Sequence, residues 1–439
     1  MTVLAPTVVA DPLVDRSLFG VYVHVPFCLT RCHYCDFVTY TGMEGLRRPY
    51  GAALLAEAEL AVAELGGTGP GRSGAGPRAD LPVVTSVFIG GGTPTLLPPG
   101  DLARVLARLR ELLPVTDDAE VTVEANPETV DATVARGLVA AGVTRVSLGA
   151  QSFDDRVLAA LGRPHGAAQI SRAVAALRAA AEARPGGLDL SLDLIFGCPQ
   201  EGEASWARSL EVAVALGPEH LSAYALTIEP ATKFGRLVAT GHMAAPGEDL
   251  LADRYETACA VLAGAGYAHY EVSNWAGGPR DGAGMPAHAS RHSRTYWRRG
   301  AYLGLGAGAH EFRAGPGHAG GPAATGGATS LAGPTAVGGV RRWNVPGVPE
   351  YLAAVREGRR PTGGHEVLDL DQARFEALAL RLRTVDGMAA EEAQALGVDP
   401  DGPQVAELRA AGLLCAPPRL RLSERGMFLH GEVCSRLAP

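Results

Sequence analysis

A chain of 439 residues exceeds one ordinary domain, although a barrel can run past two hundred residues as a single unit. Its net charge of −8 and pI near 5.9 exclude a nucleic-acid backbone as the main partner, because such domains carry a basic excess. Seven cysteines, three clustered and four scattered, make no disulfide framework and point to a reducing compartment.

The first 17 residues hold Asp11 and Asp15 but no basic n-region, so no signal peptide is expected. No uncharged apolar run is long enough to span a membrane. A cytosolic protein follows, with contact to a membrane surface left open. The first strand-like run, at 21–25, leads into the stretch around which the chain is organised, CLTRCHYC at 28–35. Its C-x3-C-x2-C spacing puts three thiolates, Cys28, Cys32 and Cys35, on one loop, and the next cysteine is Cys198. A [4Fe–4S] cluster normally takes four thiolates; with three, one iron keeps an open position for a small molecule. The competing reading is a structural Cys3His zinc site with His24 or His33 as the fourth ligand. Such sites usually pair two half-sites from separate segments, and no second half-site is visible.

Further strands read at 83–89, 121–124, 145–149, 188–195 and 220–226, with helical patterns at 46–65, 100–113, 128–141, 154–183 and 204–216. Repeated strand–helix units argue for a parallel α/β sheet, and in a barrel the functional residues gather at the C-terminal strand ends. Those ends carry the cysteine loop, then Gly90-Gly91-Gly92-Thr93-Pro94, then Glu124 with Ala125-Asn126-Pro127. Gly149-Ala150-Gln151-Ser152, Asp193 and Tyr224 follow. One rim thus collects a metal loop, a glycine triplet, two carboxylates and an amide. Glycines without a Cβ let backbone amides approach a ligand closely.

Residues 66–80 and 314–340 are rich in Gly, Ala and Pro, with almost no large apolar side chain, and read as surface insertions without chemistry; 277–290 resembles them weakly. Beyond them, helical patterns at 349–358, 366–386, 390–396 and 404–412 precede a β-hairpin expected from 413 onward with Pro417-Pro418 at its turn. Helices then a hairpin suggest a winged-helix-like domain, but no basic recognition helix stands out, which favours a structural or partner-docking role. The expected organisation is a leader at 1–17, a partial barrel at 18–275, a segment with insertions at 276–345 and the C-terminal domain at 346–439.

The cysteine loop after a first strand resembles the radical S-adenosylmethionine (SAM) superfamily. YVHVPFC and CDF narrow the resemblance to the branch of oxygen-independent coproporphyrinogen III oxidase and the heme chaperone HemW. It implies an α/β fold, a partial TIM-type (β/α)6 barrel with a small C-terminal α+β domain. It also implies a [4Fe–4S] cluster on Cys28, Cys32 and Cys35, with SAM chelating the open iron. Tyr22 and Tyr34 would line the SAM site, and Gly91, Gly92 and Thr93 would contact its amino-acid moiety. Glu124, Gln151, Arg163 and Asp193 would meet SAM or a second ligand; carboxylates suit ribose hydroxyls and the sulfonium, and Arg163 suits a carboxylate. The implied chemistry is reductive cleavage of SAM to methionine and a 5′-deoxyadenosyl radical, with an electron donor as partner.

The stretch His292-Ser293-Arg294-Thr295-Tyr296-Trp297 resembles the HemW motif of His-Asn, two variable residues, then Tyr-Trp, with Ser293 replacing Asn. Leu303-Gly304-Leu305-Gly306-Ala307-Gly308-Ala309-His310 is also characteristic. The resemblance makes His292 an axial heme ligand, with His310 and His288 competing. Two departures separate this chain from the oxidases: Asp36-Phe37 stands where they carry Gly-Cys, and 27 residues precede Cys28 where they carry a longer arm. Both favour a heme chaperone that hands heme to an acceptor apo-hemoprotein, membrane-bound acceptors included. Oxidative decarboxylation of coproporphyrinogen III is the alternative, and a zinc-stabilised scaffold a third reading.

Overall fold

The computed structural model describes residues 13–66, 81–98, 100–282, 284–314 and 338–438. Six strand–helix units form its body: β1 (Phe19–Val25), α1 (Arg47–Leu65), β2 (Val84–Gly91), α2 (Asp101–Leu112), β3 (Val115–Ala125), α3 (Ala132–Ala140), β4 (Arg145–Gln151), α4 (Asp155–Leu161), α5 (Ala167–Ala181), β5 (Asp189–Phe196), α6 (Glu203–Ala215) and β6 (His220–Ala225). Then come α7 (Lys233–Ala239), α8 (Glu248–Gly264), β7 (Ala268–Glu271), β8 (Asn274–Ala276), α9 (Arg291–Trp297), β9 (Ala301–Leu305), β10 (His310–Arg313), β11 (Val340–Asn344), α10 (Val348–Arg356) and β12 (Thr362–Val367). The chain ends in α11 (Leu370–Leu382), α12 (Ala390–Ala395), α13 (Pro403–Ala410), α14 (Glu424–Phe428) and α15 (His430–Leu437).

All strands join one twelve-stranded sheet ordered β12-β11-β10-β9-β1-β2-β3-β4-β5-β6-β8-β7. Strands β1 to β6 run parallel and form the arc of a partial TIM-type barrel. β1 and β5 are buried along nearly their whole length, as strands covered on both faces require. The helices supply the outer cover: α5 buries Ile170, Ala173, Val174, Leu177 and Ala180, one apolar stripe at helical spacing. Register then decides what meets at the rim. Val25 pairs with Gly91, so the segment leaving β1 and the glycine turn leaving β2 adjoin.

Several expectations change in detail. The helical pattern at 154–183 is two helices, because Gly162 takes φ +76° and Pro164 follows; a Cβ on Gly162 would also come within 2.8 Å of the His33 ring. The sheet continues through β9–β12, and Val348, Tyr351, Leu352 and Val355 of α10 pack into the barrel core. A second apolar core is built from α11 onward and takes in Leu13 and Val14. In that unit the expected hairpin is reduced to the bridges Leu414–Leu422 and Met388–Leu420, and residues 424–428 and 430–437 are helical. The readings of 67–80, 315–337 and 1–12 lie outside the described residues.

Residues 277–282 and 284–290 pack at the barrel floor. Arg145, which opens β4, donates to His288 O at 3.0 Å, and His288 Nδ1 lies 3.0 Å from Asp189 Oδ2, which opens β5. Helix α9 continues this closure: Arg291 N and His292 N donate to the Glu120 carboxylate on β3 at 3.1 and 3.0 Å. Among the described residues no helix is long and apolar enough to cross a membrane.

Candidate functional site

The cysteine loop is pinned at its neck. Tyr40 N donates to Pro26 O at 2.7 Å and Cys28 N to Tyr40 O at 2.9 Å, closing the segment between them into a lobe. A second anchor is His33, whose backbone N donates to Leu161 O at 3.0 Å and whose Nδ1 pairs with Ala160 O at 2.9 Å. Its Nε2 lies 2.9 Å from Nζ of Lys233, the single lysine of the sequence. His24 is equally committed: Nδ1 meets Tyr22 Oη and Nε2 meets Val38 O, each at 2.8 Å. Neither histidine is placed to complete a Cys3His zinc site.

Cys28, Cys32 and Cys35 are free and partly exposed. A polar belt ties two of them together. Thr93 Oγ1 lies 3.9 Å from Cys28 Sγ and accepts from Asn126 Nδ2 at 2.8 Å; Asn126 Oδ1 accepts from Arg163, whose Nη1 donates to Cys32 Sγ at 3.2 Å. Arg163 also donates to Gly149 O at 3.1 Å, and its buried Nε has no partner. Burial pushes the Cys28 thiol up to about 11, offset in part by the Thr93 hydroxyl and reinforced by the neighbouring thiols; burial raises Cys35 too. A metal offsets such a cost by taking the place of the protons.

Behind the loop, the glycine turn serves packing first. A Cβ on Gly90 would stand 2.7 Å from Glu124 Oε2, one on Gly91 2.3 Å from the His24 ring, and one on Gly92 2.6 Å from Phe27 O. The amides expected to face a ligand are engaged: Gly91 N donates to Glu124 Oε2 at 2.8 Å, Gly92 N to Val25 O at 2.8 Å and Thr93 N to Phe27 O at 2.7 Å.

Inside the mouth, register builds a polar layer. Glu124 pairs with Ser147, Ser147 with Ser191, and Asp193 with Ser222. Ser147 Oγ donates to Asp193 Oδ2 at 2.8 Å, and Ser191 Oγ lies 3.4 Å from Oδ1. Burial raises both carboxyls; Glu124 reaches about 7, with Gly91 N–H pulling down and Asp193 adding to the rise. The other aspartate of β5, Asp189, sits at the far end with Arg145 at 3.1 Å. Gln151 closes β4 at φ +67°, a left-handed conformation that costs a non-glycine residue about 1–3 kcal/mol and marks strain at the rim. Tyr22 and Tyr34 are partly buried, and burial keeps both phenols protonated. Tyr34 packs against the small cluster that holds Leu161 and Phe234. Tyr224 is 42% exposed in the mouth.

Residues 22–213 match the model of the Radical SAM superfamily. A curated heme chaperone HemW from Mycobacterium tuberculosis is 40% identical over 393 residues, 88% of each chain. The chain belongs to the HemW family. The Escherichia coli HemW is 37% identical, covering 68% of this chain and 71% of its own. The solved coproporphyrinogen III oxidase of Escherichia coli, a radical SAM enzyme, matches with TM-score 0.73 over 98% of this chain and 92% of that one. At 21% identity that likeness establishes the fold alone.

In this HemW-family chain the two ends of the barrel are occupied by different motifs. His292 is 1% exposed and lies on the floor. Its Nδ1 is 2.9 Å from Ser86 Oγ, its Nε2 2.8 Å from Tyr296 Oη, and its ring stacks on Phe88 at 5.2 Å. Burial lowers its pKa to about 3. As folded, neither ring nitrogen is open to an iron. Ser86 and Gly91 are about 16 Å apart along β2, at about 3.3 Å per residue, so His292 lies a barrel's depth from the cysteines. His288 is held by Asp189 in the same floor. His310 is different: it is exposed, stacks on Trp343 at 5.7 Å, and leaves the 306–309 turn beside the cysteine loop, where a Cβ on Gly308 would meet Val38 at 3.0 Å.

Sequence reasoning puts Asn126 on the rim without giving it a role, and it misses the serines of the polar layer and Lys233. A polar residue directly after a strand is an ordinary turn signal, and only the register reveals Ser147, Ser191 and Ser222 as one layer.

Proposed function

We propose that the chain holds a [4Fe–4S] cluster on Cys28, Cys32 and Cys35, binds SAM in the barrel mouth, and carries heme to an acceptor apo-hemoprotein. The observation that supports this most is the pinned loop of three free thiols, tied together through Thr93, Asn126 and Arg163, in a chain 40% identical to a curated heme chaperone. The cluster, when bound, supplies an electron to the sulfonium, which an outside donor must replace. Tyr22 and Tyr34 wall the pocket. With the amides of Gly91, Gly92 and Thr93 engaged, carbonyl oxygens of that turn and the Thr93 hydroxyl are the groups suited to the SAM ammonium. With SAM bound, Arg163 would pair with its carboxylate, and Glu124, Gln151 and Asp193 would serve the ribose and sulfonium. The reading includes a cytosolic site of action, with membrane-bound acceptors included.

The test is anaerobic purification with iron, sulfide and heme quantitation, followed by transfer of heme to an apo-hemoprotein. Robust decarboxylation of coproporphyrinogen III by protein that retains no heme overturns the chaperone reading in favour of the oxidase.

Glu124 gives this reading a pH dependence. Its folded-state carboxyl is raised from 4.5 to about 7, so the stability it contributes is complete below pH 4.5 and is lost as pH rises through 7. Ligand binding runs the other way. If the carboxylate is the form that meets SAM, affinity falls about tenfold per pH unit below 7, and Glu124→Gln flattens that slope. Calorimetric SAM titrations between pH 5.5 and 8 check it, and an equal slope in the variant removes Glu124 from the site.

For the heme iron, His292 serves as ligand only after α9 lifts from the floor, whereas His310 is accessible as folded. Burial and Arg341 lower the His310 pKa, which keeps the imidazole neutral and able to ligate. The expected result is that His310→Ala weakens heme retention at least tenfold while His292→Ala lowers the melting temperature and leaves heme in place. Soret titration of both variants decides, and the reverse pattern returns the axial role to His292.

A further inference from the structure

Away from the barrel mouth, Cys259, His269 and Glu424 bring a thiol, an imidazole and a carboxylate together, with one donor atom of each within 4.8 Å of the other two. They come from three places in the chain. Cys259 lies on α8, buried to 3% exposure; His269 lies on β7, at the edge of the barrel sheet; Glu424 opens α14 of the C-terminal unit and is exposed.

The surroundings hold the imidazole in a fixed orientation. The His269 ring lies flat on Trp275, with centroids 4.3 Å apart and planes 9° from parallel, which fixes its orientation. Its Nε2 is 3.3 Å from Tyr255 Oη and from Val272 O, distances long for hydrogen bonds. Tyr255 precedes Cys259 by one helical turn, so the phenol and the thiol share a face of α8.

We infer that Cys259, His269 and Glu424 bind one zinc ion that fastens the C-terminal unit to the edge of the barrel. Sulfur, nitrogen and oxygen donors together suit zinc, a borderline-soft ion that accepts all three. Three protein ligands leave a fourth tetrahedral position, which the exposed side of Glu424 opens to water. Zinc ligands about 2.0–2.3 Å from the ion stand about 3.5 Å apart, so the trio closes by at most about one ångström on binding. The exposed Glu424 side chain can supply that movement. On binding, the thiol loses its proton to solvent and the metal–sulfur bond replaces S–H; no electron is transferred. The inference does not depend on what the cysteine loop holds.

The experiment uses the full chain with its cysteine loop reconstituted with iron and sulfide under anaerobic conditions, so that zinc cannot settle there. Zinc is added, excess is removed, and metal is quantified for the wild type and for Cys32→Ala, Cys259→Ser, His269→Ala and Glu424→Gln. The expected result is one zinc per chain in the wild type and in Cys32→Ala, and at least tenfold weaker zinc binding in Cys259→Ser and His269→Ala. Glu424→Gln, at an exposed position that leaves the fold intact, should bind zinc several-fold more weakly. Zinc should also raise the melting temperature of the wild type and leave that of His269→Ala unchanged. Stoichiometric zinc that survives both Cys259→Ser and Glu424→Gln, or a wild type that takes up none, overturns the assignment.

Discussion

Replacing Cys32 by alanine removes iron and acid-labile sulfide from anaerobically prepared protein. Three thiolates are the full complement the loop offers, because His24 and His33 have their ring nitrogens committed to Tyr22, Val38, Ala160 and Lys233. With one of three thiolates gone, a cluster would keep half of the four protein ligands it usually takes. The change also strips Arg163 of the sulfur at 3.2 Å and leaves a partly buried guanidinium with its Nε already unpartnered. Iron and sulfide content should fall at least tenfold, with the broad visible absorption lost and heme content not obliged to follow. Arg163→Lys gives the comparison: it keeps the charge but not the planar fork that reaches Cys32, Asn126 and Gly149 together. Full iron and sulfide in Cys32→Ala would disprove the assignment of the loop.

Replacing Glu57 by alanine lowers folding stability by about 3–5 kcal/mol, because three buried donors lose their acceptor at about 1–3 kcal/mol each before relaxation, while Arg360 keeps Glu311 at 3.0 Å and Glu64 at 3.2 Å. Glu57 lies on α1 with no exposed surface, and it accepts from Gly306 N at 2.7 Å, Asn344 Nδ2 at 2.6 Å and Tyr351 Oη at 2.8 Å, with Arg360 at 3.7 Å. Burial raises its carboxyl, and Arg360 together with these donors holds it down. Four elements therefore converge on one carboxylate. Its removal also loosens the turn at 306–309. Tyr50 Oη, which accepts from Ala307 N at 2.7 Å and donates to His24 O at 2.9 Å, links that turn to the end of β1 just before the cysteines. Cluster incorporation should consequently drop alongside stability. Glu57→Gln keeps the shape and should cost about 1–2 kcal/mol. Urea unfolding of both variants checks the pair, and a loss under 1 kcal/mol for Glu57→Ala would refute the network's weight.

The site's outline was legible from local signals. Cys28, Cys32 and Cys35 announce themselves by spacing, and Glu124 and Asp193 by position at strand ends, because a parallel barrel delivers those ends to one rim. What stayed hidden depends on register and long-range packing. Ser147 and Ser222 gain meaning only as neighbours of Glu124 and Asp193 across strands. The glycine triplet was read as clearance for a ligand, yet His24, Glu124 and Phe27 occupy the space that side chains would need. The motif at His292 carries aromatic and histidine residues that look like a porphyrin site in one dimension. Its burial under Ser86, Glu120 and Phe88 comes from strands some 170 to 200 positions away in the chain. The break between α4 and α5 escapes the pattern at 154–183, which reads as one helix; Gly162 and Pro164 mark it, and its purpose, making room for His33, depends on packing.

Helix α9 and its hydrogen bonds to β3 cover one end of the arc, among the described residues, and the strand-end rim lies opposite. If a nucleotide and a broad, flat guest both load from that rim, as proposed, the guest would trap the nucleotide beneath it, and the small molecule would have to enter ahead of the large one.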